Sequence, residues 1–464
     1  MAEISQRKRI WGWYFFDWAS QPYHTLAVTF VFGPYFVAVA AQHYMNAGLD
    51  ELAADANAQA LWSTALAISG LIIAFGAPII GAIADTSGRR IPWIFGFSIL
   101  YFIGAFGLWW TMPDGSNMVF SLCLFSVGFI GAEYALIFVN SQLPSLGPPE
   151  SAGETSGSGF AFGYLGGLLS LILMLVFFQT LDNGRTIAGL APLFGLDPAL
   201  EEDKRIVGPF IAIWFAIFMV PYFRWVREPR ENTGTGSVSA AFATLIKALK
   251  NLPARKSLLN YLVSSMFYRD ALNGLYAFGG TYAALVLDWS IVQIGIFGII
   301  SVIAAGAFSW LGGKLDLHYG PKPVIIFAIF GLLLVCITVV SMDRMQIFGF
   351  ALADGSSTPD AVFFGCGVLI GGFGGTLQAA SRTLMVRHTD PVVPTESFAL
   401  YGLSGRATAF IAPALIGFVT TWTGNARLGV SPLIILFAIG LFLLLYVKAE
   451  GDKETWSGSR AAVL

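Results

Sequence analysis

Five ionisable residues fall where the surrounding sequence is apolar: Asp17, Glu133, Arg269, Asp270 and Arg406. At bilayer depth each such group costs about 2.5–3.5 kcal/mol on insertion scales, so a functional use is the first reading of each. A carboxylate withdrawn from water can carry a proton or seat the amino group of a solute. Arg269 and Asp270 are neighbours in sequence, and adjacent residues do not face each other on a helix, so each needs a partner on another helix. Three acids against two bases leave one carboxylate without a cation among the five, and that group is the candidate proton carrier. The alternative is a set of inter-helix ion pairs that only hold a bundle together. His24, seven residues after Asp17 and on nearly the same helical face, can relay protons or serve as a hydrogen-bonded packing residue. The aromatics Trp18, Tyr23, Tyr134, Tyr164, Tyr268 and Tyr276 can line a polar cavity, as can the amides Asn140, Asn273 and Gln378. Taken singly, each also fits packing or an interfacial anchor.

The elements that would position these groups are membrane helices. Apolar residues make up 56% of the chain and charged residues 12%, about half the charge of a soluble domain. Runs of about 18 or more apolar residues read as bilayer-spanning helices. Twelve such runs are predicted, at approximately 11–44, 60–84, 92–112, 118–140, 158–181, 208–226, 257–287, 291–311, 322–342, 361–382, 397–421 and 430–447. On that register Asp17 and Glu133 each lie on the order of 10 Å inside their spans, and Arg406 about 14 Å. An even number of crossings puts both termini on one side. That side collects 19 Lys and Arg residues and the other 5, which predicts cytoplasmic termini.

The net charge of −2 and the lack of a basic tract give no support to nucleic-acid binding. Cys123, Cys336 and Cys366 lie in apolar runs, far from any metal-ligand spacing, and read as core residues. Arg7-Lys8-Arg9 precede a run with no small-residue cleavage site, which is read as a retained first helix. The acidic segment 46–59 is read as an external loop, and the longer loop 182–207 is assigned no function. Residues 227–256 form the natural hinge between a bundle at 1–226 and a second at 257–464. Within it Phe242, Leu245, Ile246 and Leu249 follow helical spacing, which suits a short amphipathic helix at the membrane surface or one packed under the bundle.

A second constellation suits a latch. In G-A-I-A-D-T-S-G-R-R, Gly81 allows close helix approach and Asp85 can accept hydrogen bonds from the free N–H groups at the start of another helix. Gly88 permits a left-handed turn, and Arg89 and Arg90 hold it on the cytoplasmic side; the pair also fits a topology signal alone. A diluted copy occurs 231 residues later at Gly312, Asp316 and Gly320, with one extra residue before Gly320 and Pro321 in place of the first base. Asp17 and Asp270 are each followed six residues on by a tyrosine, Tyr23 and Tyr276, which adds to the impression of duplicated halves.

The spacing G-x-x-x-D-x-x-G-R-R resembles the signature loop of the major facilitator superfamily. More specifically, F-F-D-W-A-S-Q-P-Y with T-F-V-F-G-P-Y-F (Thr29 to Phe36) resembles the bacterial UMF1 family, relatives of the fungal vacuolar effluxer Atg22. S-G-S-G-F-A-F-G-Y-L-G-G (Ser156 to Gly167), Q-A-A-S-R-T-L (Gln378 to Leu384) and F-A-L-Y-G-L-S-G-R-A-T-A-F-I-A-P (Phe398 to Pro413) resemble other stretches of that family. The resemblance implies an all-α integral membrane protein of the major facilitator fold, with 12 transmembrane helices in two pseudo-symmetric six-helix bundles. It also implies a central cavity lined mainly by helices one, four, seven and ten. Gln21, Pro22, His24 and Arg269 depart from the family pattern.

The expected function is secondary active, proton-coupled transport of a small polar solute, such as an amino acid or related zwitterion, by alternating access. A sugar–cation symporter, a lipid or amphiphile flippase and a non-transporting membrane sensor are the alternatives. An enzyme is not expected, since no nucleophile–base pair or metal-spaced cluster is present. The expected partners are the solute, protons and membrane lipid, with no cofactor and no metal. The expected form is a monomer in the bacterial inner membrane.

Overall fold

Apolar runs of this length can satisfy their backbone polar groups in lipid only by coiling into helices, and the chain does so throughout. The computed structural model describes residues 4–87, 89–181, 183–228, 246, 250, 252–353, 355–390 and 394–452. Among them, eleven helical segments are long and apolar enough to cross a membrane. The first six are Gln6–Asn46, Glu51–Asp85, Ile91–Trp110, Met118–Ser145, Pro149–Phe177 and Glu202–Trp225. The eighth to twelfth are Gln293–Tyr319, Pro321–Val340, Thr358–His388, Pro394–Thr423 and Ala426–Leu445. The seventh span is the 32-residue helix Lys256–Leu287, whose centre is made less apolar by Arg269 and Asp270.

Several boundaries differ from the sequence reading. The acidic segment read as an external loop is mostly helix: Asp50 accepts a hydrogen bond from Ala53 N (2.8 Å), and the alanine-rich stretch after it extends the second span to Glu51. Gly312 and Asp316 lie inside the eighth helix, which ends only where Gly320 turns left-handed (φ +81°). Gly81 and Asp85 are likewise helical. The tenth span continues to His388, so Arg382, the last residue of the run read from the sequence, is inside it. The eleventh span is broken between Pro394–Ala407 and Ile411–Thr423. Pro413 explains the break, since it has no N–H for the carbonyl of Ala409 and its ring crowds that group. In the first span, Pro22 is followed by a π-helical stretch, Tyr23–Phe30, that closes with Val31 N donating to Leu26 O (2.9 Å). Cys336 and Cys366 are buried, whereas Cys123 is exposed on an outer helix face, where an apolar bilayer exacts no penalty from a thiol. Most of the expected amphipathic linker lies outside the described residues, although Ile246 and Lys250 are helical.

Two compact units emerge. The first comprises Met1–Ile73, Arg89–Val139 and Phe162–Glu231, and the second Ala74–Gly88, Asn140–Ala161 and Asn232–Leu464. The segments 74–88 and 140–161, which a division at residue 226 gives to the first bundle, are therefore packed within the second unit. The core of the first unit is aromatic: Tyr101 stacks on Phe215 at 3.9 Å, and Trp62 lies 4.5 Å from Phe125. There the third and fourth spans touch backbone to backbone, since a Cβ on Gly104 would stand 2.5 Å from Gly128 Cα. Gly104→Val is expected to lower stability by about 3 kcal/mol, read as a lower unfolding midpoint in detergent. An unchanged midpoint would mean that the two backbones separate freely.

Candidate functional site

In the first unit, His24 Nε2 lies 3.7 Å from Glu133 Oε1, joining the first and fourth spans. That is too long for a direct hydrogen bond and within reach of an ion pair or one bridging water. The His24 side chain is 35% exposed and that of Glu133 10%, so the imidazole is the more accessible end of the pair. Asp17 is buried in the first span, and Gly163 of the fifth span lies against it, where an added Cβ would be 3.2 Å from the Asp17 Cβ. Trp18 stacks on Trp214 (5.7 Å between rings, 17°), and its carbonyl accepts a hydrogen bond from Trp214 Nε1 (3.2 Å). Tyr23 and Tyr134 fill packing positions. Their hydroxyls donate to Phe125 O (2.6 Å) and Ile72 O (2.7 Å).

In the second unit, Arg269 and Asp270 both find the eleventh span, at different places. Arg269 Nη1 donates to Tyr401 O (3.0 Å) and its guanidinium lies 4.3 Å from the Tyr401 ring centre. Asp270 is 2% exposed, and its Oδ2 accepts from Ala412 N (2.9 Å) at the start of the second helical segment. A carboxylate suits that place because the break frees backbone donors and the helix dipole favours negative charge there. The other carboxylate oxygen, Oδ1, has no hydrogen-bond partner among the described residues. Asn273 and Tyr276 are exposed, and the Tyr276 hydroxyl is 3.4 Å from Gln378 Nε2, so the seventh and tenth spans share a polar face. Tyr268 is fully buried, with its hydroxyl 2.9 Å from Ser381 Oγ. Arg406 is half-buried in the last turn before the break.

The repeated glycine–aspartate stretches have unlike surroundings. Asp85 accepts hydrogen bonds from Thr395 N (3.2 Å) and Glu396 N (2.7 Å), the first turn of the eleventh span. Gly81 makes room for that helix, since a Cβ there would stand 3.0 Å from Ala399 Cβ. Asp316 is 2% exposed and abuts Gly153 at the start of the fifth span, and its Oδ2 has no hydrogen-bond partner among the described residues. Gly312 packs on Thr376. Gly320 N donates to Asp316 O (2.7 Å). Gly88 lies outside the described residues. Arg89 is exposed, while Arg90 N and Ile91 N donate to Glu228 Oε2 at 2.9 and 3.1 Å.

Two functional candidates escaped the sequence reading. Glu228 caps the third span as Asp85 caps the eleventh, and its only signal was an acid just after the sixth span. Arg382 is 2% exposed. Its Nε donates to Ser156 Oγ (2.9 Å), Nη2 to Ser156 O (2.7 Å) and Nη1 to Asn140 Oδ1 (3.0 Å). The Phe160 ring lies 4.2 Å from its guanidinium. Ending the tenth span at residue 382 hid it.

The family model described as vacuole effluxer Atg22 like matches residues 5–456. The chain belongs to the Atg22-like family. This Atg22-like chain is 24% identical over 445 residues to the uncharacterized MFS-type transporter YxiO of Bacillus subtilis, covering 96% of this chain and 95% of that one. It is 23% identical over 319 residues to autophagy-related protein 22-1 of Aspergillus clavatus, covering 65% of this chain and 50% of the relative. It therefore matches about half the length of that fungal protein. Among solved structures, the fucose:proton symporter FucP of E. coli superposes with a TM-score of 0.67 over 95% of this chain and 98% of FucP, at 16% identity. At that identity the likeness speaks for the fold alone. The Atg22-like chain is thus an integral membrane protein of the major facilitator fold and an MFS-type transporter, not an enzyme.

Proposed function

We propose that this Atg22-like protein moves a small polar solute, an amino acid or related zwitterion, in a proton-coupled secondary transport cycle. The His24–Glu133 pair carries this reading. A carboxylate on one span and an imidazole on another, at ion-pair distance and open at the histidine end, can take up a proton and release it. Such a pair is sensitive to any movement that separates its spans, which is what coupling requires. Arg269, Asn273, Tyr276 and Gln378 supply polar contacts for the solute on the second unit, while the buried Asp270 holds the backbone at Ala412. Alternating access follows if the hydrogen bonds of Asp85 and Arg382 form on one side of the membrane in one state and break in the other. The cation asymmetry of the sequence favours cytoplasmic termini, a bacterial inner-membrane location fits that bias, and a single chain is sufficient for the cycle.

The test uses proteoliposomes loaded with a labelled amino-acid mixture under an imposed pH gradient. The gradient should accelerate net flux. Glu133→Gln should reduce gradient-driven flux to that of the gradient-free control and leave solute counterflow intact, while His24→Gln should shift the pH profile. Wild-type flux that ignores the gradient, or a Glu133→Gln protein that still follows it, rejects this coupling site.

A further inference from the structure

We infer that Arg269 is the seat for a carboxylate on the transported solute. This rests on the transporter reading above and adds the chemistry of one end of the cargo. Arg269 stands ~20 Å along the seventh helix from Lys256, well inside a bilayer-spanning length. A guanidinium at that depth is costly and ordinarily has an anionic partner. Here no carboxylate lies within ion-pair distance of it among the described residues. Asp270, its sequence neighbour, is turned to Ala412 N instead.

The side chain is nonetheless built into place. One N–H is bound by the carbonyl of Tyr401, the flat face lies over the Tyr401 ring, and Gly405 leaves the slot in which the guanidinium rests. A Cβ at Gly405 would occupy the position of the guanidinium itself. Arginine has five N–H donors, and this one spends a single donor on Tyr401, which leaves a fork suited to two parallel bonds to a carboxylate. Asn273 and Tyr276 follow at i+4 and i+7 on the same helix face, both exposed, and Gln378 reaches the Tyr276 hydroxyl. A fixed cation beside neutral hydrogen-bonding groups recognises a small molecule with one anionic end and a polar body. A clamp tying the seventh span to the eleventh would need only the Tyr401 contacts, whereas the half-buried Arg269 shares its helix face with the exposed Asn273 and Tyr276.

The purified full-length protein in detergent is tested by thermal unfolding and calorimetric titration, at matched ionic strength, with four probes and a control anion. The probes are L-alanine, propionate, L-alaninamide and propanamide, and the control is inorganic phosphate. The two carboxylates should raise the unfolding midpoint and the two amides should not. Arg269→Gln should weaken carboxylate binding roughly 10- to 100-fold, and Arg269→Lys should fall between. The seat is overturned if the amides stabilise as well as the acids, if Arg269→Gln binds them unchanged, if phosphate alone binds, or if no carboxylate binds. Flux separates this from the transporter reading. Carboxylate counterflow insensitive to Arg269→Gln sinks the seat and spares transport. Arg269-dependent carboxylate binding with no flux of any probe spares the seat and sinks transport.

Discussion

Replacing Arg382 with alanine is expected to weaken the packing of the tenth span against residues 140–160 by about 3 kcal/mol or more, because bonds from a charged donor are each worth roughly 1.5–3 kcal/mol. Three such bonds reach Ser156 and Asn140, and the Phe160 ring loses the cation beside it. The loss is sharpened by what stays behind. Ser156 Oγ still donates to Ala379 O (2.8 Å), but the Ser156 carbonyl keeps only its intrahelical donor and the half-buried Asn140 amide oxygen loses the guanidinium. The readout is alkylation of a reporter cysteine at Ser141, a residue 1% exposed in the second unit, in a background with the three native cysteines replaced by alanine. Labelling should quicken by about two orders of magnitude if the closed arrangement must open for reagent entry. Labelling at the parent rate would show that Arg382 does not hold these segments together.

Asp85→Ala is expected to act on the same reporter by a different route. The aspartate accepts from two successive backbone donors at a helix start, so its removal uncaps the eleventh span and takes away the negative charge that the helix dipole favours there. A loss of about 2 kcal/mol is expected from the two bonds together, with faster labelling of Ser141→Cys by roughly tenfold or more. Asp85→Asn keeps one acceptor oxygen and should fall between parent and Asp85→Ala. Identical labelling of all three proteins would remove Asp85 from any account of closure. If Asp85 and Arg382 restrain one opening together, their effects on the labelling rate will not add.

The fold was largely legible in the sequence because membrane spans are written in run length, and even the polar seventh span kept enough apolar residues on either side of Arg269 and Asp270 to be found. Gly81 and Asp85 were readable as a close-packing glycine and a helix-capping carboxylate one turn later. Which helix start Asp85 would meet was not, because the choice of the eleventh span is a tertiary matter. Arg382 illustrates the opposite failure. Its charge suggested the end of a span, whereas Ser156 and Asn140 supply enough acceptors to keep it inside. The break at Thr408 to Phe410 had a visible cause in Pro413, yet apolar residues on both sides made the run appear continuous. His24 lies in the π-helical stretch after Pro22, and no 3.6-residue periodicity anticipates that wider turn or its meeting with Glu133.

The extension of the second helix back to Glu51 has a practical side. A helix of 35 residues is ~52 Å long, and even tilted by ~40° it reaches ~40 Å through a hydrocarbon layer of about 30 Å. About two turns therefore extend beyond the hydrocarbon, and the charges Asp50, Glu51 and Asp55 favour placing them in water at the N-terminal end of the helix. That stiff acidic post is a natural epitope. A binding protein raised against it would add a fixed landmark for aligning single-particle images without touching either polar face.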